Sequence, residues 1–156
     1  MTAEERRWAG GRAGGGGNGM DAAEIDEVAD HVARGLTAFP EVAGAYLYGS
    51  VLGQMHGGSD IDVAVVAVTE LQKRLLDVLA LEAKIQRRLG SWKGHPFHVT
   101  VLDPAQPFFS FRPLHDGRLV YIGNDRELTD FIERVARAYA DLAPRHRRAL
   151  HEVLTS

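Results

Sequence analysis

The stretch "YGSVLGQMHGGSDIDVAVV", residues 48–66, joins a small-residue turn to two aspartates at the head of an apolar segment. The turn is Gly49-Ser50, and Asp60 and Asp62 stand on either side of one isoleucine. Side chains alternate between the two faces of a strand, so both aspartates are predicted to share one face while the β-branched residues line the other. A buried strand with two carboxylates on one face needs a chemical reason to keep them.

A bound cation would supply that reason. Two like charges at close range destabilise each other, so a fold keeps them where a positive charge can lie between them. Carboxylate oxygens favour Mg²⁺ or Mn²⁺, and Mg²⁺ completes its shell with water and phosphate oxygens. Gly49 lets the backbone approach a phosphate, and Ser50 adds a hydroxyl at a turn with free N–H groups. The combination predicts a metal and polyphosphate site, whereas either half alone also fits a solvated strand edge or an ordinary turn.

Composition limits the classes of protein that the chain can belong to. It has 156 residues, 45% of them hydrophobic and 25% charged, which is typical of one soluble globular domain. The net charge of -3 lacks the basic excess of non-specific nucleic-acid binders, so no direct DNA binding is expected. The chain has no cysteine, which excludes disulfides and thiolate metal sites. No apolar stretch approaches the roughly 20 residues of a membrane span, and a cytoplasmic location is expected.

The chain is predicted to consist of a short N-terminal segment and one folded domain. Residues 1–19 are rich in glycine and carry no apolar periodicity, so this segment is predicted to be disordered. Asp21 followed by Glu24 predicts a capping box at the start of a helix that ends before Pro40. The folded domain is therefore predicted to span residues 20–156.

Strands and helices are predicted to alternate along that domain. The predicted strands are "VAGAYLYG" (42–49), "IDVAVVAV" (61–68), "FHVTVL" (97–102) and the edge element "DGRLVYIG" (116–123). The predicted helices are a short one at "SVLGQM" (50–55), one at 70–89, one from a second capping box at Asn124 and Glu127 to Leu142, and one after Pro144. The segment after Pro104 is irregular or briefly helical. This alternation favours an α/β fold with a mixed sheet and helices packed against it.

The spacing Gly49-Ser50, residues 51–59, Asp60-x-Asp62 resembles the signature of the nucleotidyltransferase superfamily that includes DNA polymerase beta and kanamycin nucleotidyltransferase. The small size, the form "SDIDVAVV" and the segment from "VLDPAQPFF" onward are similar to the minimal nucleotidyltransferases, which are usually encoded beside a HEPN-domain partner. The resemblance covers nearly everything after residue 19. It implies a polymerase beta-like fold, a small mixed β-sheet with flanking helices.

The resemblance also implies roles for individual residues. Gly49, Ser50 and Ser59 would bind the nucleoside triphosphate, with ATP as substrate. Asp60 and Asp62 would act as catalytic residues that bind Mg²⁺ or Mn²⁺, which neutralises the phosphates and aligns the attacking oxygen with the departing pyrophosphate.

The superfamily takes a third carboxylate from the following strand, four residues ahead of the leucine that closes it. Counting back from Leu102 reaches His98, so the resemblance places a histidine at the third catalytic position. Asp103 lies nearby, but alternation groups it with the apolar side chains of the strand, while His98 and Thr100 face the other way. A neutral imidazole can act as a base but withholds one negative charge from the metal site.

Two functions from different classes remain open. In the first, the chain is an antitoxin that transfers AMP from ATP to a HEPN-domain RNase toxin and so neutralises it. In the second, it is a catalytically reduced, nucleotide-binding antitoxin that neutralises the toxin by complex formation. A phosphate-metal hydrolase would use the same carboxylates but explains the Gly-Ser turn less well.

Overall fold

A computed structural model describes residues 20–53 and 59–155 of the chain. The predicted disordered segment 1–19 and the end of the predicted short helix, residues 54–55, lie outside the described residues. Within the described part, no helix has both the length and the apolar character needed to span a membrane.

The described residues form five helices, five strands and one 3₁₀ helix. The helices are α1 (Ala22–Leu36), α2 (Thr69–Gln72), α3 (Leu75–Leu89), α4 (Pro107–Asp116) and α5 (Asp125–Thr155). The strands are β1 (Val42–Tyr48), β2 (Ile61–Ala67), β3 (Ser91–Trp92), β4 (His95–Val101) and β5 (Arg118–Ile122). The 3₁₀ helix, Gly49–Leu52, follows β1 directly where a short helix was predicted.

The strands form one sheet in the order β3-β4-β2-β1-β5. Strands β2 and β4 run parallel, and the other neighbouring pairs are antiparallel. The predicted mixed sheet is therefore confirmed, and β5 occupies the edge predicted for residues 116–123.

Helices cover both faces of the sheet. The first face packs against α1 and α3 around a core that includes Ile25, Val32, Ile61, Val63, Val65, Ile85 and Val99. The second face packs against α5 around Ala43, Tyr46, Ala64, Val66, Leu102, Leu128, Phe131 and Val135. Strand β2 sends alternate residues into the two cores, as predicted. Asp62, which lies between Ile61 and Val63, therefore belongs to the second face.

Of the two predicted capping boxes, only the first forms completely. The Glu24 backbone N–H donates to the Asp21 carboxylate at 2.8 Å, and the Asp21 N–H donates to the Glu24 carboxylate at 3.4 Å. At α5, the Glu127 N–H donates to the Asn124 side chain at 3.1 Å. The Glu127 carboxylate instead accepts hydrogen bonds from the backbone N–H and the hydroxyl of Thr69, at 3.2 and 2.7 Å. Glu127 thus ties α5 to the start of α2.

The helix predicted over residues 70–89 is wrong as a single element. The chain forms α2 and α3, which are separated by Arg74 in an extended conformation with φ -114° and ψ 90°. This break shifts the helical phase, so Leu75 and Leu79 are exposed although the uninterrupted pattern placed them on the apolar face. Helix α3 packs through Leu81, Ile85 and Leu89 instead.

The predicted division of the C-terminal region at Pro144 is also wrong. Helix α5 runs through Pro144 as one element of 31 residues. An interior proline removes one backbone hydrogen bond, which costs about 3 kcal/mol in a helix centre. Residues around Pro144 are exposed or half-buried, so water can reach the carbonyl that loses its partner. The helix-favouring alanines and arginines on both sides support the continuous helix.

Candidate functional site

Three side chains lie in one row across the centre of the sheet. Tyr48 of β1 pairs with Asp62 of β2, and Asp62 pairs with His98 of β4. Neighbouring side chains on one sheet face stand about 5 Å apart, so this register alone brings the three groups together. The row lies on the second face, one step from the buried pair Tyr46 and Ala64.

His98 lies beside Asp62, at the place to which the sequence count pointed. Its Nδ1 is 3.4 Å from Asp62 Oδ1, and the exposed fractions of the two side chains are 55% and 28%. The contact is an ion pair only when the imidazole is protonated. Asp103 takes no part in the row, because it follows the end of β4 and its carboxylate accepts the Ala105 N–H at 2.9 Å.

Gly49 brings the turn against the Asp62 carboxylate. Its φ of +76° lies in the left-handed region, which strongly favours glycine. A Cβ at this position would also lie only 2.8 Å from Asp62 Oδ2. Val51, buried in the first core, anchors the 3₁₀ helix that follows, and Ser50 stays half-buried beside it. The backbone of this turn and the carboxylate of Asp62 are therefore direct neighbours.

Ser59 and Asp60 precede β2 rather than forming part of it. Asp60 is exposed, and it lies near enough to Asp62 for its negative charge to act on that carboxyl group. The carbonyl oxygen of half-buried Ser59 is 2.9 Å from Nδ1 of His95, the first residue of β4. His95 thus holds the segment that leads to the aspartates, a role that the sequence did not reveal.

The electrostatics of Asp62 favour the arrival of a cation. Burial is the main cause that raises the pKa of Asp62 above its usual 3.8, and the neighbouring charge of Asp60 raises it further. His98 opposes this shift through its charge and a hydrogen bond. The ionised form of Asp62 is therefore disfavoured in the protein alone and would be stabilised by a positive ion.

The donor set fits a hard cation that is completed by other oxygen ligands. Asp60 and Asp62 offer carboxylate oxygens, which suit Mg²⁺ or Mn²⁺, and Mg²⁺ usually takes only one or two carboxylates alongside phosphate and water. Within residues 20–53 and 59–155, no group of three or more His, Cys, Asp or Glu side chains could hold a metal by itself. The site therefore suits an ion that arrives with a phosphate ligand rather than a closed structural metal site.

Tyr48 of β1 and Thr100 of β4 are half-buried on the same face of the sheet as Asp62, on the two strands that flank β2. Burial is the largest cause that raises the pKa of the Tyr48 hydroxyl above its usual 10.0, and the Asp62 charge adds to it. Tyr48 was missed in the sequence because an aromatic residue at a strand end is equally typical of an ordinary core position.

Comparison with known families identifies the architecture around this row. Residues 31–126 match the family described as "Polymerase beta, Nucleotidyltransferase". The chain belongs to this nucleotidyltransferase family. The match includes the Gly49 turn, the aspartates and His98, so the predicted family is confirmed, while the roles of these residues remain predictions. Among curated proteins, none matches the chain significantly.

Solved structures share the fold at low sequence identity. One is a chain in a crystal structure of the toxin–antitoxin MntA–HepT, which is 17% identical, with a TM-score of 0.55 over 83% of this chain and 99% of that chain. Another, from a crystal structure of a toxin–antitoxin with AMP-PNP, is 19% identical, with a TM-score of 0.52 over 81% of this chain and 98% of that chain. These similarities confirm the polymerase beta-like α/β fold.

The raised pKa of Asp62 predicts that the substitution Asp62→Asn stabilises the folded protein, and that the size of this effect depends on pH. A carboxyl group with a raised pKa binds its proton more tightly in the folded state, so the folded protein loses stability as the pH rises from about 3.8 through the raised pKa. Asparagine stays neutral and avoids this loss. Thermal unfolding should therefore show a higher melting temperature for Asp62→Asn at about pH 7 and little difference at about pH 3.5. An equal gain at both pH values would contradict this account.

Proposed function

We propose that the protein is a cytoplasmic antitoxin that transfers AMP from ATP to a HEPN-domain RNase toxin and thereby neutralises it. The observation that carries this proposal is the contact between the Gly49 turn and Asp62. In a chain of the nucleotidyltransferase family, this contact would bring a backbone that can bind phosphate beside a carboxylate that can bind a metal ion. The similarity in fold to chains of toxin–antitoxin crystal structures supports the choice of partner class.

In this function, Asp60 and Asp62 would hold Mg²⁺ or Mn²⁺, and Gly49, Ser50 and Ser59 would hold the triphosphate. The bound ion would supply charge neutralisation for the phosphates and favour in-line displacement. The left-handed turn at Gly49 lets backbone N–H groups face the phosphates without a side chain between them. The raised pKa of Asp62 makes loading favourable, because the ion stabilises the carboxylate that burial destabilises.

The reaction exchanges the phosphoanhydride bond between the α- and β-phosphates of ATP for a phosphoester bond to the acceptor. The hydroxyl oxygen of the acceptor bonds to the α-phosphorus of ATP, and the bond to the β-phosphate breaks and releases pyrophosphate. The hydroxyl proton passes to the His98 imidazole or to water. His98 is more than half exposed, so an acceptor side chain from a second protein can reach it.

His98 favours one alternative function, that of a catalytically reduced antitoxin. A histidine beside Asp62 removes a negative charge that a carboxylate would place there, and imidazole is a poor ligand for Mg²⁺. Such a protein would still bind nucleotide through the Gly49 turn and would neutralise the toxin by complex formation alone.

Labelled ATP separates these two functions. The protein and its HEPN-domain partner, which this proposal expects to be encoded by a neighbouring gene, would be incubated with Mg²⁺ and ATP labelled in the α-phosphate. Label on the toxin would be measured by gel and mass spectrometry. We expect transfer by the wild type, a loss of about 100-fold or more in Asp62→Asn, and near-normal transfer in the control Asp103→Asn. An unlabelled toxin that remains inhibited in a tight complex would contradict transfer and support the alternative.

Two substitutions at His98 test whether this residue occupies the third catalytic position, beside Asp60 and Asp62. His98→Asp places a carboxylate beside Asp62, so we expect AMP transfer to rise about tenfold or more, with complex formation unchanged. His98→Ala is the matched control, because it removes the imidazole without adding a carboxylate. If both variants are slower than the wild type and the wild-type rate falls at acidic pH, the imidazole acts as the general base instead. Equal rates in all three proteins would mean that the third position lies at another residue.

A further inference from the structure

The C-terminal part of α5 leaves the domain without burying any side chain. The buried residues of this helix are Leu128, Phe131 and Val135, and every residue from 136 to 155 is exposed or half-buried. At 1.5 Å per residue this segment is about 30 Å long. Isolated helices are marginal in water unless an apolar face is packed, so a segment of this length indicates a missing neighbour.

The same segment continues the apolar pattern that packs the first part of α5. Two rows recur at the seven-residue spacing of helix–helix packing: Leu128, Val135, Leu142 and Ala149 in one, and Ile132, Tyr139, His146 and Val153 in the other. The first members pack on the second core, whereas Leu142 and Val153 are exposed. The pattern that holds α5 to the sheet therefore runs on into solvent.

Helix α4 widens this stripe with aromatic rings. Phe111 stacks on Tyr139, with the ring centroids 3.9 Å apart. The ring of Phe108 contacts the rings of Tyr139 and His146, with centroid distances of 5.3 and 4.9 Å. These contacts fix the direction of α5 up to His146. We call the exposed surface that remains the α4–α5 seam; it consists of Phe108, Leu142, His146, Leu150 and Val153.

Charged residues border the seam on both sides. A helix turns by about 100° per residue, so Arg145 and Arg147 lie on opposite edges of the stripe centred on His146, and Arg148 lies on its back. The same geometry places Asp141 and Glu152 on the Arg145 edge, so that edge carries both signs of charge, whereas the Arg147 edge carries no carboxylate from residue 141 onward. The seam is thus an apolar stripe with one positive edge.

We propose that the α4–α5 seam binds an amphipathic helix of the toxin partner, whose apolar stripe is bordered by Asp or Glu on the side that meets Arg147. This inference rests on the proposed function for the identity of the partner. A second copy of the chain, packed antiparallel on the same stripe, would bring Arg147 against its own counterpart, where like charges repel. Nucleic acid would pair with Arg145 and Arg147 but would leave the exposed leucine and valine side chains in water. An acidic helix satisfies both the apolar stripe and the charges.

Site-specific photo-crosslinking tests which face the partner covers. A photoreactive phenylalanine analogue would replace Leu150 in one sample and Arg148 in another, in the full chain co-expressed with the HEPN-domain partner of the proposed function. We expect a crosslink from position 150 to a partner helix rich in Asp and Glu, and none from position 148. A crosslink from 148 but not 150, a crosslink to a second copy, or a nuclease-sensitive product would overturn the inference.

Charge reversal tests the chemistry of the contact. The double variant Arg145→Glu/Arg147→Glu should weaken the complex about tenfold or more at low salt, whereas Arg148→Glu, on the back of the helix, should change it less than about twofold. All these side chains are exposed, so circular dichroism should show unchanged helicity in each variant. Equal weakening by Arg147→Glu and Arg148→Glu would show that net charge, rather than the seam, attracts the partner.

Different results would contradict the docking surface and the proposed AMP transfer. A complex that crosslinks through position 150 but never labels the toxin supports the seam and contradicts AMP transfer. A labelled toxin that crosslinks only outside the seam supports transfer and contradicts the docking surface. A HEPN-domain protein that forms no complex with the chain contradicts both.

Discussion

The close approach of Gly49 to Asp62 is the constraint on which the functional account depends. A side chain at residue 49 would meet the Asp62 carboxylate at 2.8 Å, and its backbone would be held at a φ that favours glycine. The turn can therefore lie directly against the head of β2, with no side chain between its backbone and the carboxylate. A phosphate at the turn and a cation at the aspartate would then be neighbours, which is the arrangement that phosphoryl transfer needs.

The strand pairing of the sheet fixes where the other groups of the site lie relative to Asp62. Pairing of β1, β2 and β4 fixes Tyr48, Asp62 and His98 in one row, and the alternation of β2 decides that the row faces α5 rather than α1. His98 is the point at which the chain departs from the resemblance, because it exchanges a negative charge for a group that can accept a proton. The two proposed functions, AMP transfer and neutralisation by complex formation alone, differ in what that exchange does to metal binding and proton transfer.

Local patterns predicted much of this fold. The alternation of Ile61, Asp62 and Val63 and the capping box at Asp21 need only neighbouring residues, so both are visible in the sequence. The motif around Gly49 predicted the family. These features depend on spacing, which is a property of the sequence itself.

Features that depend on distant partners could not be predicted in the same way. Glu127 turns from its own helix start to accept a hydrogen bond from Thr69, and His95 lies 2.9 Å from the carbonyl oxygen of Ser59, 36 residues away in the sequence. The break at Arg74 and the continuous helix through Pro144 likewise reverse local expectations. These features depend on contacts between residues that are far apart in the sequence, or on how far a helix is exposed to water. Nearby residues alone do not determine either of these.

The most direct test of the central claim is a crystal structure of the protein grown with Mg²⁺ and a non-hydrolysable ATP analogue. The account predicts a metal ion about 2.0–2.1 Å from carboxylate oxygens of both Asp60 and Asp62, with phosphate oxygens against the backbone of Gly49 and Ser50. Nucleotide bound elsewhere on the protein, with these two carboxylates free of metal, would contradict it.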